Sequence, residues 1–208
     1  GLGSLIGYCK ATVSNCKALN ILVECDGYGT YNYVGGFAGV MSSNIDNCYV
    51  TGVVNKSGVA TVQGTGGFVG YISLTATPVV INCYANVEVN GYKYVGGFIG
   101  WNRGAGVFTN CYSYGLVTGN SYLGGFCGRN AGAITNCYYN TETSGQSDTG
   151  KGLPRTTAQM LNGTASSYIK PDGSIDTAEN PDNAMFTTWD DDTWNFRTNL
   201  KYPKIRKI

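Results

Sequence analysis

The chain has 208 residues, a formal net charge of +1, a charged fraction of 13%, 31 glycines, 16 tyrosines and no histidine. A charge so near zero sets up no field to attract nucleic acid or an anionic membrane surface, and the lack of histidine removes Ser/His and Cys/His catalytic pairs, His-bearing zinc sites and the HExxH peptidase helix. Glycine and tyrosine in these numbers favour turn-rich β-structure over helical bundles, and no run of about 18 apolar residues exists to form a membrane-spanning helix.

From the first residues the chain repeats itself. A glycine box recurs as GSLIG at 3–7, GGFAG at 35–39, GGFVG at 66–70, GGFIG at 96–100 and GGFCG at 124–128. Each is followed, 12 to 16 residues later, by a second box: Asn15-Cys16-Lys17, Asn47-Cys48-Tyr49, Asn82-Cys83-Tyr84, Asn110-Cys111-Tyr112 and Asn136-Cys137-Tyr138. Successive glycine boxes lie 32, 31, 30 and 28 residues apart, so the length variation sits in the connections. A period near 30 with Val- and Tyr-rich runs, no helical apolar period and no leucine lattice excludes leucine-rich repeats and falls short of a four-strand propeller blade. It predicts a parallel β-helix of about five coils over residues 1–143, three short strands per coil, each pairing with its equivalents above and below.

Stacking equivalents about 4.8 Å apart turns each conserved box position into a vertical ladder. Leu5, Phe37, Phe68, Phe98 and Phe126 are expected in the core. Asn47, Asn82, Asn110 and Asn136, with Asn15, suit a corner of left-handed backbone with amides bonded from coil to coil. Alternation after each Asn places Cys48, Cys83, Cys111 and Cys137 inward and Tyr49, Tyr84, Tyr112 and Tyr138 outward. Around the glycine box both registers are apolar, and the pattern leaves open whether one face or both are covered. Ladder cysteines have parallel Cα–Cβ vectors, which suits free core thiols better than disulfides or a metal column, while Cys9 and Cys25 of the first coil are a pairing to consider.

From about residue 143 the repeat stops. Residues 155–162 read as one short helix starting at a Thr cap, and Phe186, Trp189, Trp194, Phe196 and Tyr202 are expected to cover the last coil, so that 144–208 forms a C-terminal aromatic cap. The acidic runs Asp190–Asp192 and Asp172 with Asp176 are considered for calcium, although such loops are ordinarily solvated.

GGFxG followed by NCYxxGxV at this period resembles the GLUG repeat of bacterial secreted and cell-surface proteins, over residues 1–143 in five copies. The tail motif Thr157-Ala158-Gln159-Met160 and the late aromatics resemble the segment that follows such repeats. The resemblance implies a β-helical fold, export from a bacterium, and a place in adhesin-like proteins or beside the peptidase domain of IgA-specific metalloendopeptidases. It carries over no catalytic residue. The first copy departs from the pattern at Ser4, Leu5 and Lys17.

On these grounds we expect a non-catalytic surface or secreted module without cofactor or metal, adhesin-like or acting as a rigid spacer, and a fragment of a longer exported chain. The partners considered are host glycans or extracellular-matrix protein. The outward column Tyr49, Tyr84, Tyr112 and Tyr138 either stacks on such a ligand or only supports the sheet. The alternatives are a β-helical carbohydrate-active enzyme or an accessory domain of a secreted peptidase. Glycoside hydrolysis needs two carboxylates about 5 to 10 Å apart. The coils offer Glu24, Asp26, Asp46, Glu88 and Glu142, no two of which share a ladder position.

Overall fold

A computed structural model describes residues 1–27, 29–58, 60–161, 168–169, 175–176, 194–195, 202 and 204–205. Residues 1–140 wind into a series of short strands that stack coil on coil into a parallel β-solenoid. Two sheets hold five strands each and a third holds ten, and every pair within them is parallel. The five glycine boxes therefore mark five rungs, with four full turns between the first and the last.

The glycine-box sheet contains Ile6–Cys9, Ala38–Met41, Val69–Ile72, Ile99–Asn102 and Cys127–Asn130, in coil order. The corner sheet contains Val13–Ser14, Ile45–Asp46, Val79–Ile81, Val107–Thr109 and Ala133–Thr135. The ten-stranded sheet runs in two lanes that one long strand, Tyr84–Gly96, joins in the third coil.

Sterics explain the glycine boxes. A Cβ on the first glycine of a box (Gly35, Gly66, Gly96) would collide with the carbonyl three residues on, and one on the second (Gly36, Gly67, Gly97) with the second glycine's carbonyl in the next coil. The Phe after them turns inward. Phe37, Phe68, Phe98 and Phe126 are fully buried and stack at 4.7, 4.7 and 4.8 Å between centroids, with nearly parallel rings. Burying each ring stabilises by about 1.5–3 kcal/mol and each stacked pair adds about 0.5–1.5 kcal/mol. Leu5 departs from the expected ladder: it is 49% exposed, because the first coil has a neighbour on one side only and the box there lacks its second glycine.

The expected parity of the Cys–Tyr strand is present. In Tyr49–Lys56, Val50 and Val54 are buried while Tyr49, Thr51 and Val53 are half-buried. Ala18, Val50, Ala85, Ser113 and Tyr139 form one inward ladder whose member in the fifth coil is the largest. Around the glycine box the structure resolves the open register: Ala38, Val69, Ile99 and Cys127 face the core, and Tyr8, Val40, Tyr71, Trp101 and Arg129 form the outer ladder.

The last coil is closed by other residues than the sequence suggested. The strand Leu153–Arg155 pairs with Tyr138–Asn140, and the Gly125 N–H donates to Asp148 Oδ1 at 2.8 Å. Lys151 Nζ donates to the carbonyls of Leu123 and Gly128 at 2.9 and 3.1 Å, and Gln146 Nε2 to that of Val117 at 3.0 Å. Polar side chains of 146–151 thus bond the strand edge that would otherwise invite association. Two short helices flank this closure, α1 (Thr141–Ser144) and α2 (Thr157–Leu161). The sequence predicted only the second. A four-residue helix carries no period to read, whereas α2 opens on a reciprocal cap in which Thr156 and Gln159 each accept the other's backbone N–H. The expected cap residues Phe186, Trp189 and Phe196 and the acidic residues 190–192 and Asp172 lie outside the described residues.

Candidate functional site

Tyr49, Tyr84, Tyr112 and Tyr138 are register partners in one column outside the solenoid core, as the alternation predicts. Their rings stack, 4.6 Å apart for Tyr49 and Tyr84 and 5.0 Å for Tyr84 and Tyr112. The column is not open to a ligand, which corrects its reading as an exposed aromatic surface: Tyr84, Tyr112 and Tyr138 are 4%, 0% and 3% exposed. Met160, Trp194 and Tyr202 pack over it as a second apolar cluster. Trp194 lies 5.8 Å from Tyr112 and Tyr202 stacks 3.7 Å from Tyr114, while Asn140 Nδ2 donates to the Tyr202 hydroxyl at 2.6 Å. Trp194 and Tyr202 therefore cover the side of the solenoid, whereas they were expected on its end. Burial pushes the phenols of Tyr84 and Tyr112 well above their ordinary range.

The asparagine corner has the predicted backbone. Asn15, Asn47, Asn82, Asn110 and Asn136 have φ between 49° and 55°. Its coil-to-coil bonds come from the main chain, however: Asn47 N–H donates to the Ile81 carbonyl at 3.2 Å and Asn82 N–H to that of Thr109 at 3.2 Å. Among the described residues the side-chain Oδ1 atoms of Asn47 and Asn110 have no partner and that of Asn82 accepts from Trp194 Nε1 at 3.4 Å, which corrects the expected amide ladder at this corner. Amide ladders form elsewhere, from Asn90 to Asn55 at 3.1 Å and from Asn102 to Asn130 at 2.8 Å.

All eight cysteines are free thiols, Cys9 and Cys25 included. Cys48, Cys83, Cys111 and Cys137 each donate S–H to the carbonyl two residues back, at 3.1 to 3.3 Å, and so brace the turn that the Asn makes. Burial pushes Cys83 and Cys137 well up. Cys111 between them receives hydrogen bonds that favour its thiolate, but no cation is among its neighbours and desolvation acts on all three, so the column as a unit holds its protons.

A second aromatic surface lies on the outer face of the glycine-box sheet, in the ladder Tyr8, Val40, Tyr71, Trp101, Arg129, where Tyr8 and Arg129 are exposed, Val40 and Trp101 half-buried and Tyr71 buried. Tyr33 stacks on Tyr71 at 3.9 Å, Tyr71 meets Trp101 edge-on at 5.5 Å, and Tyr94 lies 4.5 Å from Trp101. Tyr94 and Tyr122 sit at left-handed positions of the ten-stranded sheet, φ 53° and 54°. Cations are placed on the rings. The Arg103 and Arg129 guanidiniums lie 5.3 and 5.5 Å from the Trp101 centroid, Arg129 also 5.5 Å from Tyr94, and Lys93 Nζ is 5.0 and 5.5 Å from Tyr94 and Tyr122. Lys10 lies over Tyr8 in the same ladder. Cation–π contacts of this kind occur roughly once per 70–80 residues, so their concentration on one face is a feature of the site. The signal for it was in the sequence: the residue after each glycine box reads Tyr8, Val40, Tyr71, Trp101, Arg129, but no regular alternation marked it as outward.

Comparison with known proteins agrees with the architecture. The description of the GLUG motif matches residues 30–55 and 119–139. A protein of Evansella cellulosilytica named "Putative Gly-rich membrane protein" is 34% identical over 121 residues, which is 57% of this chain and 11% of that relative. The chain thus spans about a tenth of the length of the protein it matches. No solved structure matches. Among the described residues no helix is long and apolar enough to cross a membrane.

Proposed function

We propose that this chain, which carries GLUG repeats, is a surface-associated, non-catalytic module that holds a ligand on the outer face of its glycine-box sheet. The observation that carries the reading is the cluster of Arg103, Arg129 and Lys93 around half-buried Trp101 and exposed Tyr122, with no ion pair to any of the three among the described residues, set on a stack of parallel rungs whose register fixes their spacing. Rigid platforms of aromatic and arginine side chains are the composition that binding surfaces favour. Surface association is supported by the repeat family and by the name of the relative from Evansella cellulosilytica. The non-catalytic reading is supported by register: Glu24 pairs with Asn55, Asp46 with Ile81 and Glu88 with Val53, so no two of these carboxylates are ladder partners.

The test has two arms. Biotinylation of intact cells with a membrane-impermeant reagent is expected to label the parent protein within this chain. The purified chain is expected to bind selected members of a glycan and matrix-protein array, with Trp101→Ala and Tyr122→Ala together removing the signal. Surface labelling without any array binding makes the chain a spacer instead. Hydrolysis of a polysaccharide panel that is abolished at one carboxylate overturns the non-catalytic reading.

A further inference from the structure

We infer that Arg103 and Arg129, set on the Trp101 ring, form a subsite for the carboxylate of a uronic-acid polysaccharide; this rests on the proposed ligand face and names the chemistry of its ligand. Two guanidiniums lie 5.3 and 5.5 Å from one indole centroid, both on exposed side chains, and neither makes an ion pair with a described carboxylate. Two exposed cations beside one ring, neither with a described carboxylate partner, attract an oxyanion to this part of the face. Each guanidinium is held beside the ring. A planar fork held against an aromatic face loses little further freedom when its N–H edge takes a carboxylate bidentately. The Arg129 Nη1 donates to the Tyr94 hydroxyl at 3.1 Å, which orients that fork further.

The neighbours indicate what carries the carboxylate. Tyr122, 55% exposed, offers a ring body to the C–H face of a sugar, and Lys93 lies beside it between Tyr94 and Tyr122. Charge and ring thus alternate along the face, as charge and ring alternate along a chain of acidic sugars. A polyphosphate fits less well, because its affinity grows with the number of phosphates neutralised, and here the cations are few and the chain's net charge is +1.

Calorimetric titration of the full chain tests the assignment with three probes: polygalacturonate, neutral galactan and oligo-deoxythymidine. Polygalacturonate is expected to bind, more weakly as salt rises. Arg103→Gln with Arg129→Gln is expected to lower that affinity at least tenfold with an unchanged far-ultraviolet spectrum, while Lys17→Gln on the first coil leaves it alone. Equal binding by the double variant overturns the subsite, as does Arg-dependent binding of oligo-deoxythymidine at similar affinity, which makes it a general anion site. Galactan bound through Trp101 and Tyr122 without polygalacturonate leaves the ligand face standing and removes the acidic assignment. Failure of every glycan removes both.

Discussion

The ring of Tyr139 occupies the space that a side chain at Gly125 would need: a Cβ built at 125 collides with Cγ, Cδ2 and Cε2 of Tyr139. The tyrosine follows Ala18, Val50, Ala85 and Ser113 in the inward ladder, is fully buried, and donates its hydroxyl to the Asp148 carbonyl at 2.6 Å. Gly125→Ala is therefore expected to destabilise the chain by about 1–3 kcal/mol through overpacking. The same substitution in a Tyr139→Ala background should cost clearly less, because the two residues share one volume. Urea unfolding of the four variants measures this, and additive losses would show that the collision is relieved elsewhere.

Asn110 separates backbone conformation from hydrogen bonding. Its φ is 52° and its Oδ1 has no partner among the described residues, so the residue type serves the turn. Asn110→Gly is expected to unfold within about 0.5 kcal/mol of the parent, and Asn110→Val to lose about 1–3 kcal/mol for holding a β-branched residue in the left-handed region. Equal midpoints for the two variants in urea would rule this out.

Trp194 shields the tyrosine column from solvent. Removing its side chain with Trp194→Ala is expected to render Tyr84 and Tyr112 reactive toward tetranitromethane, read by peptide mass spectrometry, while the far-ultraviolet spectrum keeps its β character. The coils pair without reference to Trp194, so only the side cover is lost. Nitration of Tyr84 and Tyr112 in the parent chain at the rate of Tyr122 would contradict the burial.

Alkali acts on the same buried groups. Burial raises Cys127 and Tyr138 each to about 12, above ordinary values of 9.0 and 10.0. The folded state keeps these protons where the unfolded chain releases them, so their contribution is fully present below the unfolded values and is lost as pH rises through the folded ones. The melting temperature is expected to hold steady from pH 7 to about 8.5 and to fall progressively between about 9 and 12. A flat profile across that upper window would exclude the protonated core.

Much of the solenoid was legible in the sequence because a ladder position has one environment in every coil. Phe37, Phe68, Phe98 and Phe126 answer the same steric demand four times, and the five Asn residues the same turn. The covering of Tyr84 and Tyr112 was not legible. It depends on Trp194 and Tyr202, which are 82 to 118 positions away in the chain and belong to no repeat, so parity could say that the tyrosines point outward and not what meets them. The outer face was missed for the opposite reason. Tyr71, Trp101 and Arg129 hold one ladder position with three different residues, and a search for recurrence passes over a position whose value lies in its variation.

The collision of each box glycine with the neighbouring coil has a genealogical consequence. A duplicated copy that keeps both glycines can slot between existing rungs without disturbing any ladder, lengthening the axis by about 4.8 Å, whereas a copy that gains a side chain at either glycine must shift its backbone to make room for it. The repeat is thus both a heritable unit and a ruler mark, and only its outward letters are free to drift between one mark and the next.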